Sequence, residues 1–294
     1  MTKFEFCEND GKVRASLQIP SEWDEMTAEQ VRFVFRAFEE YAVGRIDAIQ
    51  LKVRILMHLA GNLPQRFRKR DSAIGENLYR MCEKLDFLFK IKEDGGLMGL
   101  SFQSVQNPLP VVRSGKARAL LTGPASALTD LTFGEFRHAS AALNAFFGSS
   151  DMADLDECIA FLYRRRSIRA NRAGRKVKPV DYADMSSAIS AASGIEPWAK
   201  TLIMMWFASC INYLQTGTVR LNGEEVDLAL LFSGSGKGAS GPAFTWNDLL
   251  VQIAKDQTIG NMDRVDEEPL YSIIAIMWSN YKENKRYEKA SKSS

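Results

Sequence analysis

The sequence predicts a mainly α, multi-helix globular protein with a small N-terminal β-hairpin and a second hairpin near Asn222-Gly223. Three observations predict it. Apolar residues recur at helical spacing through most of the chain. Capping residues precede those runs. Strict apolar–polar alternation is confined to two short stretches. Hydrophobic residues make up 46% and charged residues 25% of the 294, the balance of a chain that buries a sizeable core.

The elements follow in order. Phe4 and Phe6 alternate with polar residues, Asn9-Asp10-Gly11 supplies a turn, and Val13, Ala15 and Leu17 alternate on the return. Pro20 ends the hairpin because it has no ladder donor. Thr27 with Gln30 forms a capping-box pattern before Val31, Val34, Phe35 and Phe38. Ile46, Ile49, Val53, Leu56, Met57 and Ala60 space a second helix that stops at Gly61. A third is expected over Ala73 to Ile91, with Leu78, Met81, Leu85, Leu88 and Phe89 on one side.

From Lys92 to Pro124 the period is lost among Gly95-Gly96, Pro108, Pro110, Gly115 and Gly123-Pro124. This reads as a loop with a short strand near Gly99 to Val105. The expected organisation is an N-terminal unit over 1–95, an irregular connection over 96–124, and a helical C-terminal unit over 125–294.

In that C-terminal unit Thr132 caps a helix with Glu135 in the reciprocal position, and Gly148 ends it. Asp151 to Arg164 is a second helix, Asp181 to Ser193 a weaker one, and Trp198 to Leu214 a core helix. The last of these is too short and too polar-flanked to span about 30 Å of hydrocarbon. Val219 to Leu228 reads as a tight hairpin because Asn-Gly suits a type I′ turn. A flexible loop is expected over 233–243, then a helix capped by Thr245. Near Pro269 a last helix begins, striped by Leu270, Ile273, Ile274, Met277, Trp278 and Tyr281.

The chemistry implied is thin. The formal charge of +2 gives no global field toward nucleic acid or an anionic membrane, so such a partner needs a local patch. Cys7, Cys82, Cys158 and Cys210 are widely separated and form no zinc pattern. They read as buried free thiols in a reducing, cytoplasmic setting. The only histidines, His58 and His138, fall within helical patterns. Ser233-Gly-Ser-Gly-Lys237 lacks the spacing of a phosphate-binding loop. Asp263, Asp266, Glu267 and Glu268 suit the start of a helix better than a calcium loop. No catalytic residue, metal or cofactor is expected, and no enzyme.

A basic segment stands apart. Arg164, Arg165, Arg166, Arg169, Arg172, Arg175, Lys176 and Lys178 occur without an acidic residue among them. Guanidinium groups in such density suit a carboxylate- or phosphate-bearing partner. No aromatic residue lies between Arg164 and Lys178 to stack on bases. Arg66, Arg68, Lys69 and Arg70 form a second, shorter cluster.

Three stretches carry a resemblance. They are Ile19-Pro-Ser-Glu-Trp23-Asp-Glu-Met-Thr27, the run from Gly123 to Phe136, and Leu155-Asp-Glu-Cys-Ile-Ala-Phe-Leu-Tyr-Arg164. Together they resemble proteins of Bacteroidetes phages and prophages, in which a proline follows Leu-Tyr-Arg where Arg165 stands here. The end of the chain, from Trp246-Asn-Asp-Leu-Leu-Val-Gln-Ile-Ala254 through the Pro269-Leu-Tyr-Ser-Ile-Ile274 helix, is similar to small phage tail-assembly proteins. The resemblance implies a phage setting in the host cytoplasm and carries over no catalytic residue.

The expected function is therefore non-enzymatic phage morphogenesis. A tail-assembly chaperone or accessory factor would bind another virion protein in a helix-lined groove. Two alternatives stand beside it: a nucleic-acid-binding module using the 164–178 segment, and a structural subunit retained in the particle.

Overall fold

The computed structural model describes residues 1–7, 13–61, 79–93, 96–221, 223–232, 246–255 and 259–292. Expectations at Asn9-Asp10-Gly11, the Arg66 to Arg70 cluster, residues 73–78, Asn222, the 233–243 loop and the Thr245 cap lie outside them. Mainly α structure with small antiparallel hairpins is what the chain adopts. It divides into two compact units: Met1–Leu109 with Pro197–Trp206, and Pro110–Glu196 with Phe207–Ser294.

The first unit opens with β1 (Thr2–Cys7) paired antiparallel to β2 (Val13–Ile19), Phe4 opposite Leu17. The expected capping box starts α1 (Ala28–Ala42): the Gln30 amide donates to the Thr27 hydroxyl, and the Thr27 amide donates back to the Gln30 side chain. Asp47 and Gln50 repeat the device for α2 (Ala48–Leu59). Here the apolar stripe differs from the expected one. Leu51, Ile55, Leu56 and Leu59 are buried, whereas Ile49 is exposed. Each capping box satisfies two first-turn donors that the helix cannot.

The third expected helix ends earlier than its spacing suggested. Residues 79–83 are helical, Asp86–Leu88 is a 3-10 turn, and Phe89–Ile91 is strand β3, paired with β4 (Leu97–Leu100). Met81, Leu85, Leu88 and Phe89 are all buried, so the apolar positions were read correctly and their backbone was not. Trp23 packs edge-on to Phe102 at 4.8 Å and donates its indole N–H to the Ser101 carbonyl at 2.6 Å.

The second unit holds the expected irregular connection's other half, which forms a hairpin. Strand β5 (Val111–Ser114) pairs with β6 (Ala119–Thr122), Arg113 opposite Leu120. Helix α3 (Phe133–Ser149) starts at the Thr132–Glu135 capping box and ends on Ser150 in the left-handed region, two residues past Gly148. Helix α4 (Met152–Leu162), capped by Asp151, returns against α3. Helix α5 covers Ser186–Ser193.

Helix α6 (Pro197–Thr216) departs from the expected division. Its first half belongs to the first unit and its second half to the other. Twenty residues give a rod of about 30 Å, long enough to serve two cores. Trp198, Leu202 and Ile203 are buried in the first half, Phe207, Cys210 and Leu214 in the second. None of the described helices is long and apolar enough to cross a membrane.

Strands β7 (Thr218–Leu221) and β8 (Glu224–Asp227) form the second expected hairpin, Gly223 taking φ +86° in the turn. Among the described residues of this unit, four further helices follow: α7 (Ala229–Phe232), α8 (Trp246–Lys255), α9 (Met262–Glu267) and α10 (Leu270–Lys292). Phe136 centres the core, edge-on to Trp246 at 4.8 Å and to Phe207 at 6.0 Å. In α10 only the first part of the expected stripe is buried. Leu270, Ile273 and Ile274 are enclosed, while Met277, Trp278 and Tyr281 are half-exposed.

Candidate functional site

The basic segment is a folded lobe. Helix α4 ends when Tyr163 turns extended, and the chain then runs antiparallel to β6. The Thr122 amide donates to the Arg164 carbonyl at 2.7 Å, and the Arg164 amide donates back at 3.1 Å. The segment then doubles on itself. Ser167 N–H meets the Lys176 carbonyl at 3.1 Å, and Lys178 N–H meets the Arg165 carbonyl at 2.9 Å. A tight turn closes it, with Gly174 N–H on the Asn171 carbonyl and Gly174 at φ +85°, a conformation that favours glycine.

Two of the eight predicted cations are not on the surface. Arg164 and Arg175 are only 6% and 3% exposed. Both face Glu135, itself 3% exposed, on the first turn of α3. Arg164 donates to Glu135 Oε1 through a short contact, and Arg175 Nη1 lies 3.8 Å from Oε2. Asn171 donates a further hydrogen bond to Oε1 at 3.3 Å. Arg164 also donates to the Lys178 carbonyl, and Arg175 to the carbonyls of Thr122 and Leu162. These two side chains tie both ends of the lobe to its base and cannot meet a partner. The expectation that all eight form one binding set is corrected on that point.

One carboxylate serving two guanidiniums leaves the cluster rich in donors. Arg164 Nε and Arg175 Nε and Nη1 find no acceptor among the described residues. Burial pulls the Arg175 guanidinium down to about 10, Glu135 opposing and Arg164 adding to the shift. It remains charged at neutral pH.

The other six, Arg165, Arg166, Arg169, Arg172, Lys176 and Lys178, are exposed. Arg172 is partly neutralised by Glu268 at 2.7 Å. Arg165 Nη2 lies 3.4 Å from the Ala117 carbonyl, in the β5–β6 turn. Arg166, Arg169, Lys176 and Lys178 make no ion pair among the described residues. Ile168, between them at the tip, is 97% exposed.

The Arg165 contact brings in cations that the sequence reading missed. Arg113, Lys116 and Arg118 are exposed on the β5–β6 hairpin, with no acidic residue from Val111 to Gly123. The signal was present as Arg113-Ser-Gly-Lys116-Ala-Arg118, but the glycine and prolines around it read as connection. Lys116 Nζ donates to Ser193 Oγ at 2.9 Å.

The remaining candidates have structural partners. Arg137 clasps Asp266 through Nε at 3.2 Å and Nη2 at 2.6 Å, and Nη2 also lies 2.9 Å from His138 Nε2. His138 stacks on Phe161 and lies against Tyr182. Burial, then Arg137, lowers its pKa against the pull of Asp266. The acidic group forms its own short helix instead of the lead-in to α10: Asp263, Asp266 and Glu267 lie in α9 with Glu268 at its C-cap, Asp266 pairing with Arg137 and Glu268 with Arg172. Among the described residues no group of His, Cys, Asp and Glu could hold a metal ion. Cys82, Cys158 and Cys210 are buried thiols, Cys82 pushed up to about 11 by burial. An open cavity of about 560 Å³ on the β7–β8 hairpin is lined by Thr218, Val219, Arg220, Gly223 and Glu225.

Comparison with protein-family models, with curated proteins and with solved structures finds no match to this chain.

Proposed function

We propose that this chain is a non-enzymatic phage morphogenesis protein, a tail-assembly chaperone or accessory factor, that holds an acidic segment of another virion protein on its basic lobe. The observation that carries the reading is the set Arg166, Arg169, Lys176 and Lys178: exposed, without an ion pair among the described residues, and displayed on a hydrogen-bonded scaffold. Exposed cations on a fixed frame favour an anionic partner, because the backbone share of the ordering cost is already met. The phage setting comes from the resemblance. Two of its stretches, Gly123 to Phe136 and Leu155 to Arg164, contribute Glu135 and Arg164 to the anchor beneath the lobe. These observations favour the lobe over a helix-lined groove as the proposed partner site.

The test is an affinity capture from phage-producing host cells, with and without nuclease, comparing the parent with the R166E/R169E/K176E/K178E variant. Nuclease-resistant capture of a tail protein, lost in the variant, is expected. Capture that survives charge reversal would refute the lobe as the contact. A partner set that collapses under nuclease would favour the nucleic-acid alternative, and retention of the chain in purified particles the structural-subunit one.

A further inference from the structure

We infer that the lobe recognises an acidic polypeptide segment carrying an aliphatic side chain among its carboxylates, with Ile168 as the residue that reads the aliphatic group. This rests on the proposed protein-binding role of the lobe and specifies its partner's chemistry. Ile168 is 97% exposed and contributes almost nothing to the core. A lone exposed aliphatic residue is ordinary on a protein surface. Here it is not alone. Leu120, 62% exposed, stands opposite Arg113 on the neighbouring hairpin, and the Arg165–Ala117 contact brings that hairpin to the lobe. Both segments therefore present an aliphatic side chain beside unpaired cations: Arg166-Ser167-Ile168-Arg169 on one, Arg113 and Leu120 on the other.

The combination discriminates between anionic partners. Phosphates need only the cations, and neither segment adds an aromatic face on which bases would stack, leaving arginine planes as their one stacking surface. An aliphatic tip gains only from apolar surface on the partner. The lobe that carries Ile168 is tied down at Arg164 and Arg175 by their pairs with Glu135.

The test measures binding of three labelled probes of equal charge to the full chain at low salt. They are a glutamate–serine peptide, a glutamate–leucine peptide and oligo-dT. The leucine peptide should bind about tenfold more tightly than the serine peptide, the scale set by burying one aliphatic side chain. The I168S substitution should erase that preference and leave the serine peptide unchanged. Ile168 touches nothing the fold needs, so loss of folding does not confuse the result. Equal affinity for the two peptides would overturn the inference and leave the basic-lobe reading standing. Tighter binding of oligo-dT than of either peptide would overturn both in favour of nucleic acid. Absence of binding by all three would overturn both outright.

Discussion

Replacing Glu135 by glutamine tests whether the lobe is held by a buried charge cluster. The substitution keeps the side chain's length and an oxygen that can accept from the Thr132 amide, so the α3 capping box survives in outline. What it removes is the one negative charge between two guanidiniums whose side chains are 6% and 2% exposed. Breaking a buried pair by deleting one partner costs about 3–5 kcal/mol, because the remaining charge stays buried without compensation. Two cations are stranded here, so the upper part of that range applies. In a unit of this size the loss corresponds to a fall in Tm of roughly 6–20 °C. Arg175→Met works in the opposite sense. It leaves a neutral Glu135–Arg164 pair and removes two donors that have no acceptor. It forfeits the bonds to the Thr122 and Leu162 carbonyls, and its net cost should stay under about 2 kcal/mol. Urea unfolding followed by circular dichroism gives both energies, and hydrogen exchange across 164–178 reports the lobe. E135Q should cost more than R175M and should expose the amides of Ser167 and Lys178. If E135Q lies within about 0.5 kcal/mol of the parent, or R175M costs more, the cluster does not organise the lobe.

Two further outcomes follow from the same unit. His138 has a lowered pKa in the folded chain, through burial and Arg137, while unfolded it titrates near 6.5. The unfolded state therefore binds the proton more readily, so this contribution is fully present above that value and is lost as pH falls through the folded pKa. Arg137, Asp266 and Tyr182 are the charged or titratable groups around the ring. The urea midpoint should drop as pH falls below about 6.5 in the parent and flatten in H138N; an unchanged slope in the variant would count against the assignment. Gly123→Ala places a Cβ 2.5 Å from the ring carbon Cζ and 2.8 Å from the hydroxyl of Tyr163, which is 1% exposed and cannot yield. It should destabilise by about 1–3 kcal/mol or more. Gly148→Ala, with open space around it in a helix, should be neutral or stabilise by up to about 1 kcal/mol. Thermal melts of the two variants check the contrast, and equal effects would refute the close-packing argument.

Local signals were the legible part of the fold. The Thr27–Gln30 and Thr132–Glu135 boxes, the β1–β2 and β7–β8 hairpins and the start of α10 were readable because each depends on residues within a few positions of one another. Leu88 and Phe89 show the limit. A helical spacing of apolar residues also fits a 3-10 turn running into a strand, and the pairing of Phe89 with Leu100 is a long-range fact. Ile49 shows another. Which side of an amphipathic helix is buried depends on what packs against it, and α2 buries the face of Leu51 and Ile55. The two-unit division cut through α6 for the same reason: an apolar 20-residue helix carries no mark of where one core stops and the next begins.

The basic segment was legible as charge and illegible as architecture. Eight cations without an acid read as one patch, but a carboxylate that pairs with two of them stands 29 residues upstream of Arg164. Glu135 had already been given a role by its position three residues after Thr132, and a capping-box residue leaves one carboxylate oxygen free for a second task. That second task divides the segment into parts with different work. Arg164 and Arg175 make the lobe a fixed object by holding the carbonyls of Thr122, Leu162 and Lys178, whereas the side chains of Arg166, Arg169, Lys176 and Lys178 make no ion pair among the described residues. A flexible basic loop would spend part of its binding energy on ordering several long side chains and their backbone. A lobe anchored from below avoids the backbone share, so an anchor lesion such as E135Q should weaken partner binding without touching any residue that meets the partner. Undiminished binding in E135Q, alongside loosened amides in 164–178, would separate anchoring from recognition and leave the exposed charges alone to explain affinity.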